Sequence, residues 1–342
     1  MMIRRHIGDY HFVADAKTGV TMRWGKTIQD NPTFAPVPEL ADISISNHCT
    51  KGCDFCYRSS SNNREWMSVE DYCHVLDNMH HPQYGNVFQV ALGGGEPLEH
   101  PDFIRIIDET VRREIVPNFT TNGLHLTEDI CKSIQGKLGA VALSATSIDE
   151  ISVKTVEMLR CFGIETNVHY VLSSKNIVEA TGIAKGLFNK RLEKVNAVIF
   201  LTYKPAGRGS VRGVVTRGEK FDDFIEAIGD KNIKRPKLGF DACFVPMLLS
   251  RSVVSSALVD CCEGGFFSVY VDHKKNVSPC SFCGDKDSFS LDEYDFYDIW
   301  NNKFEAFRKQ QENHCQNTSC IGHSLCRGCC PYYPEITICY ER

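Results

Sequence analysis

The chain has 342 residues, a formal net charge of −5, and 42% apolar and 24% charged residues. That length exceeds one small core and falls short of three domains, and the composition is that of a globular protein. The acidic balance argues against nucleic acid as a partner, and the most apolar windows, such as residues 253–259, are far shorter than a bilayer span.

Met1–Tyr10 lacks the apolar stretch of a secretory signal, so a cytoplasmic protein is expected. Residues 1–40 read as a β-rich prelude. Tyr10–Ala14 and Val20–Trp24 are β-prone and flank the hairpin signal Lys17-Thr18-Gly19. A proline-punctuated connector follows, from Asn31-Pro32 to Pro38. Over residues 41–235, apolar strand segments alternate with helical ones. The strands are expected at Ile43–Ser46, Val87–Leu92, Pro117–Thr120, Ala140–Ser144, Thr166–Leu172 and Val195–Tyr203. One helix starts at Ser68, where Glu70 and Asp71 put acids in the first turn. Others are expected over Pro101–Arg113, Thr127–Gln135, Asp149–Phe162, Asn176–Leu187 and Phe221–Ile228. This alternation predicts an α/β fold, a partial (β/α)6 TIM-like barrel with its chemistry at the C-terminal ends of the strands. Residues 236–342 lose the repeat and gain Gly, Pro and Cys. They predict a small cysteine-rich domain that a metal ties together.

The cysteines carry the chemistry. There are 17, and in a reducing compartment clustered cysteines are more often metal ligands than disulfides. Cys73, Cys131 and Cys161 are scattered and read as small buried core residues. Cys49, Cys53 and Cys56 directly follow the first expected strand, with spacing C-x3-C-x2-C. Three thiolates can hold three irons of a 4Fe–4S cube and leave the fourth open to a small molecule. The other reading is a zinc site completed by His48 or a distant residue. Four further features end later strands: Gly93-Gly94-Gly95-Glu96-Pro97, Thr121-Asn122-Gly123, Ser144 and Lys204-Pro205-Ala206-Gly207-Arg208-Gly209. The last reads either as a plain turn or as a cationic loop meeting a substrate carboxylate. His169 lies within the fifth strand, as a barrel histidine or an inward-pointing site residue.

The three-cysteine spacing, with Phe55 before the third cysteine, resembles the signature of the radical S-adenosylmethionine (SAM) superfamily. The resemblance implies a 4Fe–4S cluster on Cys49, Cys53 and Cys56 whose open iron chelates SAM. Reductive cleavage would then yield a 5′-deoxyadenosyl radical that takes hydrogen from substrate, the cofactor supplying the hard chemistry. Gly94-Gly95-Glu96-Pro97 matches the element of the family that binds the SAM amino group. The SAM-site residues implied are Phe55, Tyr57, Gly94, Gly95, Glu96, Pro97, Asn122, Ser144 and His169. Related enzymes commonly have Ser-Leu-Asp where this chain has Ser144-Ala145-Thr146.

The later cysteines resemble the SPASM extension, which carries auxiliary 4Fe–4S clusters in enzymes that mostly modify peptides. Val277-Ser278-Pro279-Cys280, Cys320-x5-Cys326 and Gly328-Cys329-Cys330-Pro331 carry the likeness. The resemblance implies one or two auxiliary clusters. Cys243 or Cys261, with Cys262, Cys280 and Cys330, would ligate the first, and Cys315, Cys320, Cys326 and Cys339 the second. The chain departs from the family at Lys275, at Cys315-x4-Cys320, and in the extra Cys283 and Cys329. Cys280-x2-Cys283 and Cys326-x2-Cys329 also have zinc-knuckle spacing.

By this resemblance the function is hydrogen abstraction in a ribosomal peptide, ending in a crosslink, an epimerisation or an oxidation. Small-molecule modification, of an aminated sugar, nucleoside or amino acid, is the alternative. A non-catalytic iron–sulfur or zinc module is the alternative from another class. Only 48 residues precede Cys49, fewer than a full leader-recognition domain, so a separate leader-binding protein is expected, and a reductant such as flavodoxin or ferredoxin. The prelude would either add a strand to a peptide or close the open edge of the barrel.

Overall fold

The structure is a computed structural model that describes all residues except 1, 252, 253, 256–258, 313, 314, 321, 324, 341 and 342. The apolar window at 253–259 therefore falls largely outside the described residues. Among the described residues no helix is long and apolar enough to cross a membrane.

The alternating segments form one sheet. Strands β4 (Leu40–Ser46), β5 (Gln89–Gly94), β6 (Val116–Thr121), β7 (Val141–Ala145), β8 (Thr166–Leu172) and β9 (Ala197–Thr202) pair in sequence order, all parallel. Each of the five crossovers carries one helix of at least seven residues: α1 (Val69–Asn78), α2 (Phe103–Arg112), α3 (Glu128–Ile134), α4 (Val153–Cys161) and α5 (Ile177–Ala184). Helix α6 (Glu219–Gly229) follows β9. The start of α1 shows the expected cap, Ser68 Oγ accepting from Asp71 N at 3.0 Å.

Alternation decides the two faces of each strand. In β4, Ala41, Ile43 and Ile45 are fully buried against the helices, whereas Asp42 and Ser44 point into the barrel. In β8, Val168, Tyr170 and Leu172 face outward to the helical layer, and Asn167, His169 and Val171 face inward. Helix α2 answers with Phe103, Ile106, Ile107 and Thr110, one buried stripe at helical spacing.

The sheet is wider than the six-strand expectation. Strand β10 (Lys237–Phe240) adds in parallel to β9, and β11 (Ser268–Val271) adds in parallel to β4. Short antiparallel strands β12 (Asn276–Ser278) and β13 (Phe289–Ser290) extend β11, giving the order β10-β9-β8-β7-β6-β5-β4-β11-β12-β13. The order has two ends, so the barrel is open. Helices α7 (Val245–Ser250) and α8 (Glu305–Glu312) belong to the cysteine-rich part.

The prelude is a separate antiparallel sheet of β1 (Met2–Ile7), β2 (Tyr10–Asp15) and β3 (Thr21–Trp24). It shares no hydrogen-bonded ladder with the barrel, so it does not close the barrel edge. Tyr10, Phe12 and Ala14 instead pack with Tyr84, Phe88, Phe266 and Phe267, residues at or before the starts of β5 and β11. The prelude thus sits at the foot of the barrel, at the opposite end from the cysteine loop. Of the scattered cysteines only Cys131 is buried. Cys73 is half-buried, and Cys161 is exposed, because it ends α4 on the solvent side.

Trp300 joins the ends of the chain. It is fully buried, stacks on Phe296 at 6.4 Å, and its Nε1 donates to Ala35 O at 2.9 Å. Trp300→Ala is expected to cost about 3–5 kcal/mol, read as a lower urea midpoint, because it removes the ring and orphans a buried carbonyl.

Candidate active site

Strand β4 delivers the chain into the loop of Cys49, Cys53 and Cys56, and β5 delivers the glycine–glutamate turn beside it. The two are zipped by backbone: Gly95 N donates to Ser46 O and Glu96 N to His48 O, each at 2.8 Å. The glycines serve this approach. A Cβ on Gly95 would lie 1.9 Å from His48 O, and one on Gly94 would lie 2.2 Å from both Ser44 Oγ and Ser46 O. Gly94 also has φ +106°, which favours glycine. Close approach to a ligand, the reason glycines suggest from sequence, is left to Gly93, whose Cβ would meet only Asp42 Oδ1 at 3.9 Å.

Glu96 is 2% exposed, and most of its carboxylate is already committed. Thr121 Oγ1 donates at 2.6 Å, Asn122 N at 2.8 Å and Leu98 N at 3.2 Å. Burial pushes its pKa up while these donors hold it down. Glu96 therefore staples the ends of β5 and β6 together, and Pro97 opens the helical turn that follows. A carboxylate has about four acceptor positions, so the three donors leave Glu96 one for an ammonium, beside the backbone carbonyls of the turn. Asn122 supplies the complement: its Nδ2 is buried and makes no hydrogen bond. An orphaned amide donor at the end of β6, beside the glycine–glutamate turn, fits a polar ligand such as SAM.

Ser144 and His169 sit side by side in the β7–β8 register, both facing inward. His169 Nδ1 lies 3.2 Å from Thr120 Oγ1, across β7. Burial pulls its pKa down to about 4, against the pull of Asp241. The folded state thus holds His169 neutral where an unfolded histidine would charge. Its stabilising contribution is complete above pH 6.5 and is lost as pH falls from 6.5 towards about 4. Thermal melts at pH 7 and pH 4.5 should show a smaller acid loss in His169→Asn, the difference reaching at most about 3 kcal/mol.

Around the loop, Cys53 senses Cys49 and Cys56 as neighbours. Burial raises its pKa and Lys51 lowers it. His48 is engaged at both nitrogens: Nδ1 accepts from Arg64 N at 3.1 Å and Nε2 pairs with Glu99 at 3.1 Å. It is therefore not poised as a fourth metal ligand. Phe55 packs against the buried cluster of Tyr203, Val214 and Ile336, which Cys243 and Cys330 also border, and Tyr57 stacks on Phe282 at 4.6 Å.

The loop after β9 is neither a plain turn nor a free cation. Arg208 Nε donates to Cys53 O at 2.7 Å, Nη1 to Ser60 O at 2.8 Å, and its backbone N to Cys56 O at 3.0 Å. Gly207, at φ +57°, leaves room for Tyr57 O, which a Cβ would meet at 2.4 Å. The loop clamps the cysteine loop from a second side. Lys204 Nζ pairs with Asp241 Oδ2 at 2.6 Å, so that ammonium is not free for a substrate carboxylate. Nothing in the sequence pattern pointed to Asp241 or to the Arg208 clamp, because both depend on which loops meet.

All 17 cysteines are free thiols, and the later ones fall into two sets. Cys243, Cys262, Cys280 and Cys330 line one cavity, together with Lys204, Phe282 and Cys329. Cys315, Cys320, Cys326 and Cys339 line a second, with His323. Cys326 borders both. Cys261 faces away, into a third cavity beside Asp260 and Arg327, and Cys283 lines none of the three. Burial drives the thiols of Cys243 and Cys280 well up, and those of Cys262 and Cys326 up to about 11. Dry, mutually facing thiols suit soft metal, which stabilises thiolate where burial alone opposes it. Among the described residues no three His, Cys, Asp or Glu side chains are arranged to hold a single metal ion.

An open parallel barrel with three cysteines after its first strand defines the radical SAM class. Residues 43–230 match the Radical SAM superfamily, and the chain belongs to it. It is accordingly a radical SAM enzyme, with a 4Fe–4S cluster and SAM as its cofactors. Mycofactocin maturase MftC of Mycobacterium tuberculosis is 23% identical over 310 residues, covering 82% of this chain and 75% of that protein. Among solved structures, Streptococcus suis SuiB superposes with TM-score 0.72 at 13% identity, over 99% of this chain and 98% of that one. anSMEcpe with bound AdoMet and Cp18Cys peptide gives TM-score 0.63 at 18% identity, over 84% and 88%.

Proposed function

We propose that this enzyme modifies a ribosomally made peptide by hydrogen abstraction, with two auxiliary 4Fe–4S clusters in its C-terminal part. The observation that carries the reading is the grouping of nine later cysteines into two thiol-lined cavities, the first of them lined by Phe282, on which Tyr57 of the SAM-cluster loop stacks. The likeness to a mycofactocin maturase over most of the chain supports a peptide substrate, as does the fold shared with SuiB, which has been solved bound to the precursor peptide SuiA.

In this reading Cys49, Cys53 and Cys56 hold the SAM cluster, and Asn122, Ser144, His169 and the backbone of Gly93–Pro97 line the SAM pocket. When bound, the cluster and SAM supply reductive cleavage to a 5′-deoxyadenosyl radical. The protein orients SAM and excludes water. Residues 1–40 brace the barrel, residues 41–235 hold the SAM site, and residues 236–342 hold the auxiliary clusters. A flavodoxin or ferredoxin supplies electrons, and a separate protein presents the leader.

Anaerobically reconstituted protein is expected to carry roughly 12 Fe per chain, as three cubes, and about eight would leave one auxiliary cluster. With dithionite and SAM it should release 5′-deoxyadenosine, and a precursor peptide that it accepts should lose hydrogens in a crosslink or oxidation, or invert a residue at unchanged mass in an epimerisation. About four Fe with zinc would refute the auxiliary clusters. Turnover of an aminated sugar or nucleoside, with the peptide untouched, would replace the peptide reading.

A further inference from the structure

We propose that Lys204 is the cation that sets the redox poise of the first auxiliary cluster, with Asp241 as the counter-charge that moderates it. This rests on the auxiliary-cluster reading of Cys243, Cys262, Cys280 and Cys330.

Lys204 lies just beyond β9, where the side chain runs inward rather than to solvent. Its side chain is 6% exposed and that of Asp241 17%. A lysine so buried is uncommon, because desolvating an ammonium is costly unless a partner returns the energy. Asp241 is one partner, at 2.6 Å, and is itself held by Thr202 N at 3.0 Å and Thr202 Oγ1 at 2.7 Å. The ring of Phe282 lies under the ammonium at 4.5 Å. Thiols are close by as well. Lys204 shares one cavity with all four proposed ligands, and its charge is felt at Cys243, Cys280 and Cys330.

The chemistry of such a site is charge bookkeeping. A four-thiolate 4Fe–4S cluster is anionic and becomes more so on reduction. A fixed cation in the same dry cavity favours the reduced form, more strongly than it would across water. One carboxylate paired with that cation weakens its effect without abolishing it. Lys204 touches neither SAM nor any reacting atom described here, so it acts as a positioning residue through the cluster.

The test uses reconstituted holoenzyme in an anaerobic redox titration, reading the auxiliary EPR signal and the iron content together. Lys204→Met should lower the auxiliary potential, so that the ratio of reduced to oxidised cluster at fixed potential falls roughly tenfold, which is about 59 mV for a one-electron couple. Lys204→Arg should hold the wild-type value, because it keeps the charge. Asp241→Asn should shift it upward, because it unmasks the cation. A merely structural role predicts no such opposition of sign. Equal midpoints in all variants, or shifts of the same sign in Lys204→Met and Asp241→Asn, overturn the proposal. Should Lys204→Met fail to load iron, Lys204→Arg and Asp241→Asn still decide it. Wild-type protein with iron for the SAM cluster alone overturns both this proposal and the reading beneath it.

Discussion

Cys56→Ala abolishes SAM cleavage in the expected result, with 5′-deoxyadenosine falling to the buffer blank. Three thiolates are the minimum that holds three irons of the cube, and no neighbouring side chain can substitute. His48 is bound at both nitrogens, and Phe55 and Tyr57 supply no soft donor. Iron should fall by about four per chain, one cube, while the auxiliary signal persists. That partial loss separates removal of one site from collapse of the fold. The cysteine lies in a loop, and its half-buried side chain contributes little to the barrel core. Loss of all iron would instead mean that the sites assemble as one unit.

Gly95→Ala is expected to be almost as damaging, although it removes no ligand. Its Cβ would sit 1.9 Å from His48 O and 2.5 Å from His48 C, both backbone atoms of the strand-to-loop connection. Neither side can yield without breaking the Gly95 N–Ser46 O and Glu96 N–His48 O bonds. Overpacking of this kind costs about 1–3 kcal/mol, and here the displacement falls on the segment entering Cys49. The expected outcome is a folded protein, by circular dichroism, with little SAM-cluster iron. Gly93→Ala is the contrasting variant. Its Cβ meets nothing closer than 3.9 Å, so the SAM cluster should load normally. A raised KM for SAM in Gly93→Ala with full iron would show that the ligand approaches at Gly93; unchanged KM would leave the glycines a purely internal packing role.

Much of the barrel was legible because its signals are local. A strand buried on its outer face writes an alternation, as Thr166–Leu172 does with Val168, Tyr170 and Leu172, and helix starts carry their own caps, as Ser68 does with Asp71. The strands beyond residue 235 were not legible. β11 offers only Ser268–Val271 and pairs with β4, which lies more than 200 residues earlier, so its place depends on contacts that no window contains. The first strand, Met2–Ile7, was missed because Arg4, Arg5 and His6 dilute its alternation. Cys161 reads as core by residue type, but the face of α4 it occupies is set by which side meets the sheet.

The same division runs through the site. Cysteine spacing, the glycine–glutamate turn and the asparagine after β6 are properties of short segments, and the sequence by itself determined the chemistry they imply. It also determined the barrel order, since each βα unit folds beside the one before it. Only the tertiary structure decided how those segments are used. It showed that Glu96 also staples two strands together, and that Gly94 and Gly95 also serve backbone packing. Lys204 became one half of a buried ion pair, and Cys243 rather than Cys261 came to face Cys262, Cys280 and Cys330. Each of these depends on a partner far away in the chain. A residue's type limits what it can do, but in a folded protein its partners, and the water excluded around them, decide which of those things it does.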